Sequence, residues 1–314
     1  MRQLLLVTAV LFASSICLNA DELPKEILGR WDLVVQGKSG EFPSWLEVRK
    51  SGNSTLVGSY VGQFGSARPI SEVVVTDERF SFAVPPQWEQ RDDNQAFEFT
   101  LAEGKLSGTT TDETGAQLKW TGARAPKLDR PETPTWGSPI EIFNGKNLDD
   151  WDVQMDDVPN GWIVRDGVLF NEKPGNNLVT KQKFNDFKLH AEFRYPKGSN
   201  SGVYLRGRYE VQVEDNYGED PESHLIGGVY GFLTPSSNPA KKHGEWQTYD
   251  ITLVGRTVTV LLNGERVIDR QAIPGITGGA LDSDEGLPGP IMLQGDHGPI
   301  EFRKLTLTPA LVSR

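Results

Sequence analysis

Cysteine is almost absent from this sequence: Cys17 is the only one in 314 residues. It lies in an N-terminal stretch, residues 1–20, that reads as an export signal. Arg2 gives the positive start, Leu4 to Ala13 the apolar segment and Asn19-Ala20 the small-residue end before Asp21. Cleavage there leaves no thiol, which excludes disulfide staples, cysteine nucleophiles and cysteine-rich zinc sites together. Lipid attachment through Cys17 is the alternative, but Ser14-Ser15-Ile16 is a weak match to a lipoprotein cleavage site. Long hydrophobic runs are also lacking. The signal has about ten apolar residues and no later stretch approaches the roughly 18 that a membrane helix needs. The expectation is an exported protein, periplasmic or extracellular and soluble after cleavage. Cations are in deficit, with 32 Lys and Arg against 43 Asp and Glu and a formal net charge of -11. That argues against a phosphate-tracking surface and a nucleic-acid partner. What is abundant is Gly (33), Pro (20), Trp (8) and Tyr (7): a turn-rich chain whose aromatic faces suit sugar rings as well as cores.

From Leu28 to Arg124 apolar residues recur at every second position, as in Trp31, Leu33 and Val35, or Phe97, Phe99 and Leu101. Half-buried strands do this. About eight short strands are expected, beginning at Arg30, Ser44, Ser54, Arg68, Arg79, Ala96, Lys105 and Ala116, and sequential hairpins suggest an up-and-down barrel. Gly29-Arg30-Trp31 is similar to the opening of lipocalin-like barrels, although another small antiparallel domain fits too. Phe80, Phe82, Phe97 and Phe99 would line a cavity if the barrel held a ligand, and otherwise form its core. The expected organisation is a barrel-like domain over 21–125, a semi-rigid linker over 126–139 carrying Pro126, Pro131, Pro134 and Pro139, and a two-layer sandwich over 140–310. A polar linker predicts few contacts across it, so that a chain beginning near Pro131 would fold and the first domain would only dock a partner or surface.

In the second domain, strands alternate between core and charged residues. Leu189, Ala191 and Phe193 oppose His190, Glu192 and Arg194; Val203 and Leu205 oppose Tyr204 and Arg206; Val211 and Val213 oppose Glu210, Gln212 and Glu214. Three such strands in one sheet would make a sugar-sized polar groove. Trp151 and Trp162 read as core, and Asn263-Gly264 as a hairpin turn.

These residues carry a resemblance. Ile142-Phe143-Asn144-Gly145-Lys146, Asp166-Gly167-Val168-Leu169, Glu192-Phe193-Arg194 and Asn200-Ser201-Gly202-Val203-Tyr204-Leu205-Arg206-Gly207 stand in one order. Tyr209-Glu210-Val211-Gln212, Gly228-Val229-Tyr230-Gly231, Gly244-Glu245-Trp246-Gln247 and Leu293-Gln294-Gly295-Asp296-His297-Gly298 follow them. Together they resemble the 3-keto-disaccharide hydrolase family from roughly Trp136 to Pro309. The resemblance implies an all-β, concanavalin A-like jelly-roll sandwich, and a glycoside-cleaving enzyme acting on sugars oxidised at C3 by elimination of the C1 substituent followed by hydration. A C3 ketone acidifies the C2 hydrogen, so a base, an enolate stabiliser and a proton donor are required. Glu192, Glu210 and His297 are the candidate acid/base groups. Arg194, Tyr204, Arg206, Gln212, Tyr230, Glu245, Trp246 and Gln294 are candidate substrate contacts. The motifs assign no cofactor. A divalent metal bridging keto and hydroxyl oxygens would be a Lewis acid, but His190 with Glu192 does not define a site. A lectin-like carbohydrate-binding module is the rival reading.

Overall fold

The computed structural model describes residues 23–131 and 133–311, so the expected export signal and Cys17 lie outside the described residues. The first unit is one nine-stranded antiparallel sheet. Its strands are β1 (Gly29–Gly37), β2 (Gly40–Ser51), β3 (Thr55–Val61), β4 (Arg68–Ile70), β5 (Val74–Thr76), β6 (Arg79–Val84), β7 (Gln95–Ala102), β8 (Lys105–Thr111) and β9 (Gln117–Arg124). They lie in the order β4-β3-β2-β1-β9-β8-β7-β6-β5. Every neighbour is the next in sequence except the β1–β9 pair, and β4 comes against β6, curling the meander toward a barrel. The strand beyond the expected eight is β5, only three residues long and largely exposed.

The four phenylalanines fill this barrel. Phe82 stacks on Phe97 at 4.5 Å and Phe80 on Phe99 at 5.2 Å between ring centroids, with Trp31 and Trp120 buried in the same cluster. Offset aromatic pairs at this spacing add to the burial energy of the rings.

The second unit carries β10 (Ile140–Glu141), β11 (Trp151–Val153), β12 (Trp162–Arg165), β13 (Val168–Asn171), β14 (Leu178–Thr180), β15 (Phe187–Arg194), β16 (Asn200–Leu205) and β17 (Tyr209–Glu214). β18 (Gln247–Val254), β19 (Thr257–Leu262), β20 (Glu265–Ala272), β21 (Met292–Leu293) and β22 (Ile300–Pro309) complete it. They form an eight-stranded antiparallel sheet, β12-β13-β22-β15-β18-β19-β20 with β10 on β22, and a five-stranded one, β11-β14-β21-β16-β17. Most neighbours are distant in sequence, the crossover pattern of a jelly-roll sandwich. Phe187, Leu189, Ala191 and Phe193 of β15, with Tyr249, Ile251 and Leu253 of β18, meet Val203, Leu205, Val211 and Val213 of β16 and β17 between the sheets. Trp151 and Trp162 are buried as expected, each donating its indole N–H to a backbone carbonyl.

Two expectations are corrected. β15 lies in the eight-stranded sheet, so the three polar strand faces are not one surface. The period-two pattern says which residues share a face of a strand, not which strands share a sheet. Nor are contacts across the linker few. Trp45 and Val61 of the barrel belong to the sandwich's apolar cluster, Trp45 packing edge-on against Phe232 at 5.5 Å. Ser283 Oγ donates to Leu33 O at 2.5 Å and Gly279 N to Gln63 O at 2.8 Å. The connector itself lies on the sandwich: Arg256 Nη1 donates to Pro126 O at 2.7 Å, and Arg130 pairs with Asp186 at 3.4 Å.

Candidate active site

The polar groups gather on the face of the five-stranded sheet that points away from the sandwich core. In β16 and β17 the β-branched and aliphatic residues turn inward, so Asn200, Gly202, Tyr204, Glu210, Gln212 and Glu214 turn outward. Antiparallel register sets Asn200 opposite Glu214, Gly202 opposite Gln212 and Tyr204 opposite Glu210. On the other flank Gln294 N donates to Gly202 O at 2.9 Å, which brings Gln294 into the row of Gly202 and Gln212. Gly202 is there because the Glu210 side chain lies across it: a Cβ at this position would fall 2.2 Å from Glu210 Oε1.

Although these side chains face outward, Tyr204, Glu210 and Gln212 are buried. The segment around Gly227 to Tyr230 closes against the edge of β17, with Tyr230 N donating to Glu210 O at 3.0 Å and Gln212 N to Gly228 O at 2.9 Å. The 277–279 loop closes the other side, Thr277 Oγ1 accepting from Glu210 N at 3.0 Å. Burial pushes the Glu210 carboxyl up to about 8, against the opposing pull of the Tyr204 hydrogen bond and of His297. Tyr204 Oη lies 2.9 Å from Glu210 Oε2 and 3.0 Å from Gly278 O. A phenol has one proton. A protonated Glu210 therefore satisfies both contacts, by donating to Tyr204 while Tyr204 donates to Gly278 O.

Beside this pair Asp296 Oδ1 sits 2.6 Å from His297 Nδ1. That hydrogen bond, ahead of the loss of solvent which opposes it, raises the His297 pKa. It also selects the tautomer that leaves Nε2 free. Gln212 and Gln294, 2% and 8% exposed, each keep an Oε1 atom with no partner in the protein. Unpaired buried acceptors are costly, and two in one row are positioned to take hydroxyl protons from a bound molecule. Tyr230, half-buried and held edge-on by His224 at 5.1 Å, adds an aromatic edge.

The structure thus brings together Tyr204, Glu210, Gln212, Tyr230, Gln294 and His297 from the predicted set. It places the others elsewhere. Glu192 lies on the outer face of the eight-stranded sheet, taking a hydrogen bond from Arg303 Nε and lying 3.4 Å from His190 Nε2. Partial burial would raise its pKa, but these bonds outweigh it and hold the carboxyl low. Arg194 pairs with Glu301 at 2.5 Å, and it and Arg303 stack on Trp246 at 4.7 and 4.4 Å. Glu245 is exposed in the loop before β18. Arg206 has a positive φ of 54° in the turn after β16, so its side chain leaves the strand's alternation. It is fully buried, donating to Gly255 O and Tyr209 Oη. Asn200 and Glu214, joined at 2.6 Å, extend the same alternation and were legible from it, as was Asp296 beside His297. Thr277 reaches the site from a distant loop that carried no local signal. Among the described residues no group of three or more His, Cys, Asp or Glu is placed to hold a metal ion.

Residues 138–308 match a family profile described as a 3-keto-alpha-glucoside-1,2-lyase-like domain. A protein of Bacteroides thetaiotaomicron named 3-keto-disaccharide hydrolase is 27% identical over 167 residues, covering 41% of this chain and 57% of that protein. The chain therefore spans little more than half the length of that relative. A solved structure from Parabacteroides distasonis, provisionally named a glycosyl hydrolase, is 32% identical over 58% of this chain and 93% of that one, with a TM-score of 0.47. Another from the same organism is 27% identical over 56% and 100%, with a TM-score of 0.43.

Proposed function

The chain belongs to the 3-keto-alpha-glucoside-1,2-lyase-like family, and from that membership we propose that its sandwich domain releases the C1 substituent of 3-keto sugar conjugates by elimination and then hydration. The observation that carries this reading is the pairing of a buried carboxyl that keeps its proton at neutral pH with a histidine whose Nε2 is free. In the elimination His297 Nε2 takes the C2 proton, the C2–H electron pair becomes an enolate onto the C3 oxygen, and that pair then forms the C1=C2 bond as the C1–O bond breaks. Glu210 gives its proton to the departing oxygen. In the hydration Glu210, now a carboxylate, takes a proton from water as the water oxygen bonds to C1, and His297 returns its proton to C2. Both groups recover their starting states and the balance is hydrolysis. The unpaired Oε1 atoms of Gln212 and Gln294 accept from the ring hydroxyls, and their amide N–H groups are the donors for the C3 oxygen, where the negative charge develops.

Purified protein incubated with a methyl 3-keto-glucoside and its unoxidised parent tests the reading. Methanol released only from the keto form, with deuterium from D2O appearing at C2 of the product, is expected. Release without C2 exchange points to direct hydrolysis, and binding without release to a lectin-like module. Export belongs to the same proposal, and is checked by N-terminal sequencing of the secreted protein, expected to begin at Asp21. Among the described residues no helix is long and apolar enough to cross a membrane.

A further inference from the structure

The barrel has a cavity of about 310 Å³ at one end, walled in part by Phe42, Tyr60, Arg68, Trp88, Glu89 and Arg91. That is within the range of small-molecule sites, roughly 300–1,000 Å³. Trp88 is the exception in a domain whose other tryptophans are buried: it is 45% exposed, and Phe64, 46% exposed, holds it edge-on at 5.6 Å. Its loop is fastened on both sides. Gln87 accepts from Ser66 N at 2.9 Å and donates to Ser66 Oγ at 2.5 Å, and Glu89 accepts from the backbone N–H groups of Gln87 and Trp88. An exposed indole held rigidly is a preformed platform, which lowers the ordering cost of binding.

The chemistry of the wall selects a neutral polyol. Each of its cations is paired: Arg68 with Glu89 at 3.0 Å and Lys38 with Asp112 at 2.7 Å within the wall, and Arg91 with Asp93 at 3.1 Å just outside it. Little field is left to draw an anion, while many hydrogen-bonding atoms remain. Arg68 is 5% exposed, yet its Nε–H has no partner. A flat apolar ring beside an unpaired buried donor matches a pyranose, which has apolar C–H faces and hydroxyl edges.

One segment joins the wall of the cavity to the candidate active site. Gly62 and Gln63 line the cavity, and the segment running on from them reaches the walls of the groove. Gln63 O accepts from Gly279 N at 2.8 Å. Gly65 and Ser66 press on Gly278 and Gly231 so closely that a Cβ would fall 2.2 Å from Gly65 O at the first and 2.5 Å from Ser66 Cβ at the second. Gly278 is the residue whose carbonyl holds Tyr204, and Gly231 follows Tyr230.

We propose that the cavity at the end of the barrel, with Trp88 as its platform, binds the leaving saccharide ring of the substrate, so that the first domain supplies a subsite to the groove of the second. This rests on the function proposed above. The test uses the full-length protein and a Trp88→Ala variant, whose fold is checked by circular dichroism and melting temperature. Calorimetric titration with unoxidised maltose and cellobiose is expected to show at least one of them bound by the wild type and about tenfold more weakly by the variant, the effect of one lost stacking face. The ratio of kcat/KM for a 3-keto-disaccharide over the methyl 3-keto-glucoside is expected to fall by a similar factor, through KM. A folded variant with unchanged binding and an unchanged ratio overturns the subsite, as does a wild type that binds neither disaccharide. A wild type that turns over neither keto substrate overturns the function instead, and the binding arm then decides by itself whether the cavity is a saccharide site.

Discussion

Glu210 and Glu192 have the same side chain, the same strand alternation and similar motif neighbours, and their surroundings send them in opposite directions. Burial holds a proton on Glu210 to about pH 8, while hydrogen bonds from Arg303 and His190 keep Glu192 ionised. Replacing Glu210 by Gln is expected to cost about 10²–10⁴-fold in turnover, the usual worth of a positioned acid/base group. Glu192→Gln should retain turnover, and steady-state kinetics on one keto substrate separates the two. The pH profile has a defined sign. The acid limb of kcat/KM should lie above 6.5, where His297 gains a proton and ceases to be a base, and the alkaline limb near 8, where Glu210 loses the proton it must give. Gly202→Ala tests the geometry alone, because its Cβ would occupy the place of the Glu210 carboxylate. A loss of more than tenfold in kcat with a native circular dichroism spectrum is expected. The roles of the two glutamates were not legible in the sequence, since alternation reports a side chain's face and a pKa depends on what other segments bring to it.

At the scale of elements, β1 meets the 282–287 loop of the sandwich through two carboxyls. Burial, then the charge and hydrogen bond of Glu285, push Asp32 up to about 9, while Arg256 and Arg208 pull it down. Glu285 is itself held low by Arg256, with Tyr209 and Asp32 donating to it. A carboxyl raised on folding stabilises the native state fully below its unfolded value of about 3.8, and that contribution is lost as pH rises toward about 9. Glu285, held below its ordinary 4.5, contributes no opposing slope at higher pH. Melting temperature should therefore fall between pH 5 and 9, and Asp32→Asn, whose amide donates to Glu285 without a titrating proton, should flatten the slope. A slope unchanged in the variant would assign it to other groups. β2 makes another contact: Trp45 is fully buried between barrel and sandwich, and Trp45→Ala should cost roughly 3–5 kcal/mol in a denaturant titration. The strands themselves were readable from alternation, and the Asn263-Gly264 turn lies in the left-handed region as its sequence requires. β5 was not readable, being three residues long with only Val75 packed on the core, too short a stretch to show an alternation.

At the scale of the whole molecule, the proline-rich connector does not separate two independent bodies. A chain beginning at Pro131 would uncover Phe232 and the cluster around Ile273 and Ile276 that Trp45 and Val61 join. It should melt lower than the full chain, and the full chain should unfold in one cooperative transition by calorimetry. Two separated transitions would show that the interface is weaker than its packing implies. The sequence by itself determined that the chain is all-β, where most of its strands run, which residues of each strand face a core, and the family of its second domain. Those properties are written in period-two alternation, turn residues and ordered motifs, all of which act within a few residues of chain. Only the tertiary structure decided that β15 lies in the other sheet from β16 and β17, that Arg206 turns into the interior, and that Thr277 and Gly278 close on Glu210. It also decided that the barrel stands beside the groove. Sheet partnership and the approach of loops depend on contacts between residues far apart in sequence, and a local pattern carries no record of which distant segment will cover it.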